Sequence, residues 1–188
     1  MILIIDNFDS FTYNIYQRLG EMGYESEVVT NEVSIAKIKK INPSHIIISP
    51  GPCTPNETGN CKKIIKYFYK KIPILGICLG HQCIAQVFGS KIVKTKPFHG
   101  KEDLFFHNYD VLFRNVKQRF TAARYHSLIV ETLPKEFQLV SWNDKKLIMG
   151  IKHQQFNLYG IQYHPESILT QDGYTILKNF IENVRNSK

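Results

Sequence analysis

Apolar and polar residues alternate along the first half of the chain in a way that predicts strands and helices in turn. The apolar run 2–5 predicts a buried strand. Apolar residues then recur at helical spacing up to Gly23, at Phe11, Ile15, Leu19 and Met22. Further strands are predicted at 27–30, 45–49 and 73–77, and further helices at 34–41 (with Ser34 as N-cap), 60–71 and 79–88. Repeated strand–helix units with almost continuous apolar strands indicate a parallel sheet covered by helices on both faces.

The second half of the chain has a different pattern. Between Lys91 and His164 short alternating runs predict strands at 110–113, 138–142, 146–152 and 158–163, with a hairpin loop at 154–157. A closing helix is predicted at 172–185, with an apolar face made of Tyr174, Leu177, Ile181 and Val184. The simplest account is one α/β domain over residues 1–188. Its sheet is mostly parallel and flanked by helices, with additional antiparallel strands in the second half.

Composition and charge limit the kinds of molecule that the protein is expected to bind. The 188 residues are 43% hydrophobic and carry a formal net charge of +8, with lysines spread along the chain rather than grouped in a basic arm. This dispersion favours a solvated surface over nucleic-acid binding, and an anionic small substrate or an acidic partner suits the charge equally well. No apolar stretch approaches the roughly 20 residues of a membrane span, so no membrane association is predicted.

The expected location follows from the start of the sequence and from residue usage. No basic segment and cleavage site precede the first predicted strand, so we expect the protein to work where it is made. Abundant Ile, Lys, Asn, Phe and Tyr, with little Ala, indicate an A/T-rich genome. We therefore expect a bacterial-type cytoplasm or, for an organelle-encoded protein, the plastid stroma.

The four cysteines do not predict a disulfide framework or a metal site. A chain of this length and aliphatic content does not need covalent cross-links, and no secretory signal is present. Cys78, His81 and Cys83 are close in sequence, but the residues between them read as the start of a helix, and no second cysteine pair has zinc-site spacing. We expect neither a metal ion nor another cofactor.

One cysteine stands at a turn that suits a nucleophile. Cys78 follows a buried strand, precedes a predicted helix, and has Gly76 and Gly80 two residues away on either side. A sharp strand-to-helix turn leaves little room for side chains at those flanking positions. The turn would place the sulfur at a helix N-terminus, where free N–H groups favour the thiolate. A buried structural cysteine with packing glycines is the competing interpretation.

A base for this thiol is predicted far along the chain. His164 ends a predicted strand and precedes Pro165, which favours extended backbone, so His164 and Glu166 share one face. The carboxylate can then accept from one imidazole nitrogen and leave the other for the thiol proton. Alone, the pair is better interpreted as a solvated strand end. Together with the cysteine turn it predicts a Cys-His-Glu triad, whereas His81 should point away from the sulfur.

These segments resemble a known family over essentially the whole chain. Residues 76–82 (GICLGHQ) and 164–167 (HPES) are similar to class I (triad) glutamine amidotransferases, whose fold is flavodoxin-like. Within that class, four further segments resemble the component II subunits of anthranilate synthase and aminodeoxychorismate synthase. They are 6–14 (DNFDSFTYN), 49–52 (SPGP), 99–101 (HGK) and 124–128 (RYHSL).

The resemblance implies a role for each matching residue. Cys78, His164 and Glu166 would be catalytic, and the backbone N–H groups of Gly51 and Leu79 would form the oxyanion hole. Gln82, Ser127 and the Leu128 backbone would hold the amino-acid end of glutamine, although locally they read as a helix-surface amide and an ordinary loop. The partner-facing surface would include Asp9, Ser10, His99, Gly100 and Lys101.

The sequence departs from the family pattern in two places. Cys53 stands where the family usually has glycine after Pro52, and Glu102-Asp103 replaces the usual Thr-Ser after Lys101. The first departure could alter the loop beside the oxyanion hole. The second affects the detail of the partner contact rather than the chemistry.

The resemblance predicts that the protein is the glutaminase subunit of anthranilate synthase, which is a hetero-oligomer. This subunit would pass ammonia from L-glutamine to a chorismate-converting large subunit. Any Mg²⁺ would belong to that partner. Aminodeoxychorismate synthase is the nearest alternative, with a dedicated or shared subunit. A catalytically silent regulatory module and a free-standing γ-glutamyl hydrolase are two further competing interpretations.

Overall fold

The computed structural model describes residues 1–95 and 101–184 and contains the predicted alternation in its first half. Four strands and four helices alternate there: β1 (Ile2–Asp6), α1 (Thr12–Glu21), β2 (Ser26–Thr30), α2 (Ile35–Ile41), β3 (His45–Ile48), α3 (Cys61–Phe68), β4 (Ile74–Ile77) and α4 (Leu79–Val87). Ser34 caps α2 as predicted, since its side chain accepts a hydrogen bond from the Lys37 backbone N–H. The apolar strands are buried because helices cover both faces of the sheet.

The second half is built mainly of strands. They are β5 (Ile92–Lys94), β6 (Lys101–His107), β7 (Phe120–Arg124), β8 (Leu128–Val130), β9 (Phe137–Asn143), β10 (Ile148–His153) and β11 (Leu158–Ile161), followed by the helix α5 (Gly173–Asn183). The loop between β10 and β11 joins an antiparallel pair, as the hairpin prediction requires.

One mixed sheet organises the molecule. Within the described ranges its nine strands run in the order β2-β1-β3-β4-β11-β10-β9-β6-β7, and β5 and β8 form a separate antiparallel pair. The first five strands are parallel, which is the arrangement expected of a flavodoxin-like sheet, and the remaining four are antiparallel to their neighbours. Because β11 lies parallel to β4, with Ile161 opposite Ile77, the segments that follow these two strands leave the sheet side by side.

The two faces of the sheet carry separate apolar clusters. Ile15 and Leu19 of α1 pack with Leu177 and Phe180 of α5 on one face. On the opposite face the clustered residues come from α2, α3 and α4, and they include Ile38, Ile64, Phe68 and Ile84. Each helix thus buries one apolar stripe against the sheet. This packing holds the strands in place, including the strand ends where the site lies.

Two sequence predictions in the second half are wrong. Residues 110–113 do not form a strand, because the Asp110 carboxylate accepts from the Leu112 backbone N–H and caps a short 3-10 turn. Tyr174 is 42% exposed and does not belong to the apolar face of α5. It lies two positions before the buried Ile176, about 200° around the helix axis.

No helix in the described part of the chain is both long and apolar enough to cross a membrane. The four cysteines are free thiols, with Cys53 exposed and the other three buried.

Candidate active site

Cys78 occupies a strained turn between β4 and α4. Its φ of 52° and ψ of −101° are unusual for a residue with a side chain. A Cβ on Gly76 would lie 2.4 Å from the Gly80 carbonyl, and a Cβ on Gly80 would lie 2.4 Å from the Ile48 carbonyl oxygen. Only glycine allows these backbones to approach, so the two flanking glycines hold the turn that carries the sulfur.

His164 and Glu166 form a buried pair in the segment after β11. The predicted extended backbone is wrong here: Pro165 and Glu166 lie in a turn, closed by the Ser167 backbone N–H, which donates to the His164 carbonyl at 3.2 Å. The Nδ1 of His164 lies 2.7 Å from Oε1 of Glu166, and each residue is only 2% exposed. Since Glu166 occupies Nδ1, the other ring nitrogen is the one available to the Cys78 thiol.

The charge state of His164 is set by its neighbours. Burial acts to lower the pKa of His164, but the charges of Glu166 and Cys78 oppose it and raise this pKa well above its usual value. The imidazole is therefore held in its cationic form beside the sulfur. A cationic ring next to a thiol favours the thiolate and supplies an acid for a leaving amine.

Two aromatic rings and the backbone fix the orientation of His164. The rings of Phe11 and Tyr125 lie with centroids 5.1 Å and 5.0 Å from the imidazole. The His164 backbone N–H donates to the Ala123 carbonyl, and the His164 carbonyl accepts from the Thr170 hydroxyl at 2.6 Å. The sequence predicted Phe11 as part of the first helical face, but it precedes α1 and contacts the histidine instead.

A polar cavity of about 160 Å³ lies beside Cys78. All five residues predicted to bind glutamine line this cavity: Gly51, Leu79, Gln82, Ser127 and Leu128. Cys53 and Tyr125 also line it. The cavity is therefore the space in which a small amide substrate could reach the sulfur.

Gln82 and Gln162 connect the cavity wall to the thiol. The Gln82 amide nitrogen donates to the Leu128 carbonyl at 3.1 Å and to Oε1 of Gln162 at 3.2 Å. Gln162 in turn donates to Sγ of Cys78 at 3.6 Å. Sequence reasoning missed Gln162, which reaches the thiol from the bend that follows β11, two residues before His164.

The loop that carries Gly51 is held against the start of α4. The Asn7 backbone N–H donates to Oγ of Ser49 at 2.9 Å, and the Asn7 side chain donates to the Ser49 carbonyl. A Cβ on Gly51 would lie 2.6 Å from side-chain atoms of both Asn7 and Leu79. The absence of a side chain at Gly51 therefore lets its loop pack against the Leu79 side chain, beside the start of α4.

His81 is separated from this chemistry. Burial lowers the pKa of His81 to about 3, so the ring is neutral at physiological pH. It packs against β11, where a Cβ on Gly160 would lie 2.6 Å from Nδ1 of His81. No group of three His, Cys, Asp or Glu side chains suited to a metal ion occurs in the described ranges.

The residues predicted to face a partner are only partly described. Asp9 accepts from the Phe11 backbone N–H at 2.8 Å and shapes the turn before α1, where Ser10 is exposed. Lys101 is the first residue of β6, opposite Arg124 in β7. His99 and Gly100 lie outside the described residues.

Known proteins resemble the chain over nearly its full length. The family model for glutamine amidotransferase class-I matches residues 3–184. An anthranilate synthase component 2 from Cyanophora paradoxa is 50% identical, with 96% of this chain and 98% of that protein covered. An aminodeoxychorismate/anthranilate synthase component 2 from Bacillus subtilis is 48% identical, with 98% and 97% covered. The crystal structure of a putative GMP synthase subunit from Thermoplasma acidophilum superposes with a TM-score of 0.87 at 28% identity, covering 96% of this chain and 91% of that one.

Cys53 is held in the left-handed backbone region, with a φ of 65°, at an exposed position of the cavity. A residue with a Cβ pays roughly 1–2 kcal/mol for that conformation, which exceeds the extra unfolded-state entropy of glycine. We expect Cys53→Gly to raise the free energy of unfolding by about 1 kcal/mol. Urea unfolding measures the change, and Cys53→Ala, which keeps a Cβ, should give no gain. A stability gain in the alanine variant alone would contradict this interpretation of the backbone.

Glu166 is the carboxylate that acts on the His164 charge. We expect Glu166→Gln to lower the pKa of His164 relative to the wild type, because burial then opposes the cation and the neighbouring carboxylate charge is lost. Titration of the His164 imidazole by NMR measures this pKa. The matched control is Glu136→Gln, which removes the carboxylate beside His153 and should leave His164 unchanged. An unaltered His164 titration in Glu166→Gln would contradict the assignment.

Proposed function

The chain belongs to the glutamine amidotransferase class-I family, and from this premise we propose that residues 1–188 act as the glutaminase subunit of anthranilate synthase. In this proposal the protein hydrolyses L-glutamine and passes ammonia to a chorismate-converting large subunit. One observation supports this proposal above the others. Cys78 lies on a strained turn, between the charged His164–Glu166 pair and the 160 Å³ cavity. Burial instead raises the pKa of the Cys61 and Cys83 thiols, and Cys53 is exposed.

The first half of the reaction releases ammonia. The Cys78 thiolate attacks the side-chain amide carbon of glutamine, and a carbon–sulfur bond forms as the carbonyl becomes an oxyanion. His164, held cationic by Glu166, gives its proton to the amide nitrogen as the carbon–nitrogen bond breaks. The products of this half are ammonia and a γ-glutamyl thioester on Cys78.

The second half regenerates the thiol. Neutral His164 takes a proton from water, whose oxygen attacks the thioester carbon, and glutamate leaves as the carbon–sulfur bond breaks. The backbone N–H groups of Gly51 and Leu79 stabilise the oxyanion in both halves, since the Gly51 loop lies against Leu79. Gln82, Ser127 and Leu128 hold the amino-acid end of the substrate at the far side of the cavity.

Exposed apolar side chains near the triad support a docked partner. Phe8, Tyr13 and Ile168 are 64%, 63% and 85% exposed, and all three lie close in sequence to residues of the site. Ile168 and Glu166 line one groove together with Asn14 of α1. A large subunit seated there covers these side chains and receives ammonia before it is protonated in bulk water.

The alternative partner is the large subunit of aminodeoxychorismate synthase. It is favoured by the Bacillus subtilis relative, whose name includes both synthases. The residues of the glutamine site do not discriminate between the two, because both partners would use the same ammonia. The identity of the large subunit therefore has to be tested directly.

The purified complex with the anthranilate synthase large subunit provides that test. We expect Cys78→Ala to reduce glutamine-dependent anthranilate formation by about 10³-fold or more, since the nucleophile is lost, and to leave ammonium-dependent formation unchanged. Cys53→Ala removes another thiol of the same cavity and should retain glutamine-dependent activity.

Persistent glutamine use by Cys78→Ala would contradict the enzymatic proposal. Glutamine-dependent product formation only with the aminodeoxychorismate synthase large subunit would replace the anthranilate assignment. High glutaminase turnover by the isolated chain would instead favour a free-standing hydrolase.

A further inference from the structure

A chain of buried and partly buried polar contacts runs from β6 to the substrate cavity. Arg124, at the end of β7, has a side chain with no solvent exposure, and its Nη1 pairs with Oδ2 of Asp103. Its Nε donates to Nε2 of His126 at 3.0 Å. Nδ1 of His126 lies 2.8 Å from the Leu128 carbonyl, which also accepts from Gln82.

The contacts of His126 fix its tautomer. Nε2 must accept, because Arg124 donates to it, and Nδ1 must therefore carry the hydrogen that is donated to Leu128. Protonation would place two donors face to face. Burial, followed by the charge of Arg124, accordingly lowers the pKa of His126 to about 3. His126 is thus a neutral group with one donor and one acceptor, both in use.

Asp103 anchors the other end of this network. Its carboxylate accepts from Arg124 and from the side chain of Asn143 in β9 at 3.0 Å, so it is tied to two strands of the sheet. Arg124 is consequently held by the sheet while it contacts the loop that follows β7. Because this buried cation is hydrogen-bonded at both ends, its side chain stays in one position.

We propose that Arg124 and His126 are positioning residues for the amino-acid end of the substrate, because they hold the Leu128 carbonyl and, through it, the Gln82 amide at the cavity wall. The inference rests on the proposed glutaminase function. It adds two residues that act through Leu128 and Gln82 rather than through the reacting atoms: Arg124, which is fully buried, and His126, which lines the cavity beside Leu128. Loss of this support displaces the binding wall without altering Cys78, His164 or Glu166.

The test measures KM and kcat for glutamine in the complex with the large subunit. We expect His126→Ala to raise KM by about tenfold while kcat changes less than about twofold, because one hydrogen bond to the wall is lost. His126→Asn places an amide N–H near the position of Nδ1 and should return KM to within about threefold of the wild type. Arg124→Met and His126→Ala should be non-additive in a double-mutant cycle, since they break one network.

A buried histidine in another part of the fold controls for stability effects. His107 is buried in β6 and its Nε2 bonds the Val116 carbonyl, so His107→Ala should lower stability without changing KM. An unchanged KM in folded His126→Ala, a failure of His126→Asn to recover KM, or equal KM changes in His107→Ala would overturn the positioning role. If the wild-type complex itself does not use glutamine, the proposed function fails before any variant is compared.

Discussion

The close approach of three backbone segments around Cys78 is the constraint on which the rest of the site depends. Gly80 lies against the Ile48 carbonyl and Gly76 against Gly80, so the turn after β4 can neither relax nor shift along the sheet. The positive φ of Cys78 persists because this packing over-determines it. The parallel pairing of β11 with β4 then brings His164 to the same edge of the sheet. The cavity, the loop that carries Gly51 and the triad are therefore all positioned around this one turn.

The surroundings of three buried histidines give them different protonation states. His164 faces the charges of Glu166 and Cys78 and is held as a cation, whereas His81 is buried against Gly160 and stays neutral. His126 is also neutral, because Arg124 requires it to accept a hydrogen bond. Burial acts to lower all three pKa values, so the neighbouring charge decides which ring can exchange a proton with a substrate.

Local patterns sufficed to predict the parallel half of the fold and the position of Cys78, since strand, turn and helix are contiguous there. Assigning Gln82, Ser127 and Leu128 to the cavity required resemblance to a family, because they read locally as ordinary surface residues. Gln162 was overlooked, because it reaches Cys78 from a bend after β11 where the alternation of a strand no longer tells which way a side chain points. The contacts of Phe11 and Tyr125 with His164 depend on long-range packing, and the capping of 110–113 by Asp110 overrode an apolar run that read as a strand.

The most direct measurement of the central claim is covalent labelling by an electrophilic diazoketone analogue of glutamine, followed by peptide mass spectrometry of all four cysteines. The account predicts one adduct, on Cys78, whose formation is prevented by excess glutamine, because this thiol lies at the cavity beside the cationic His164. An adduct on Cys53, Cys61 or Cys83 in place of Cys78, or labelling that glutamine does not prevent, would contradict it.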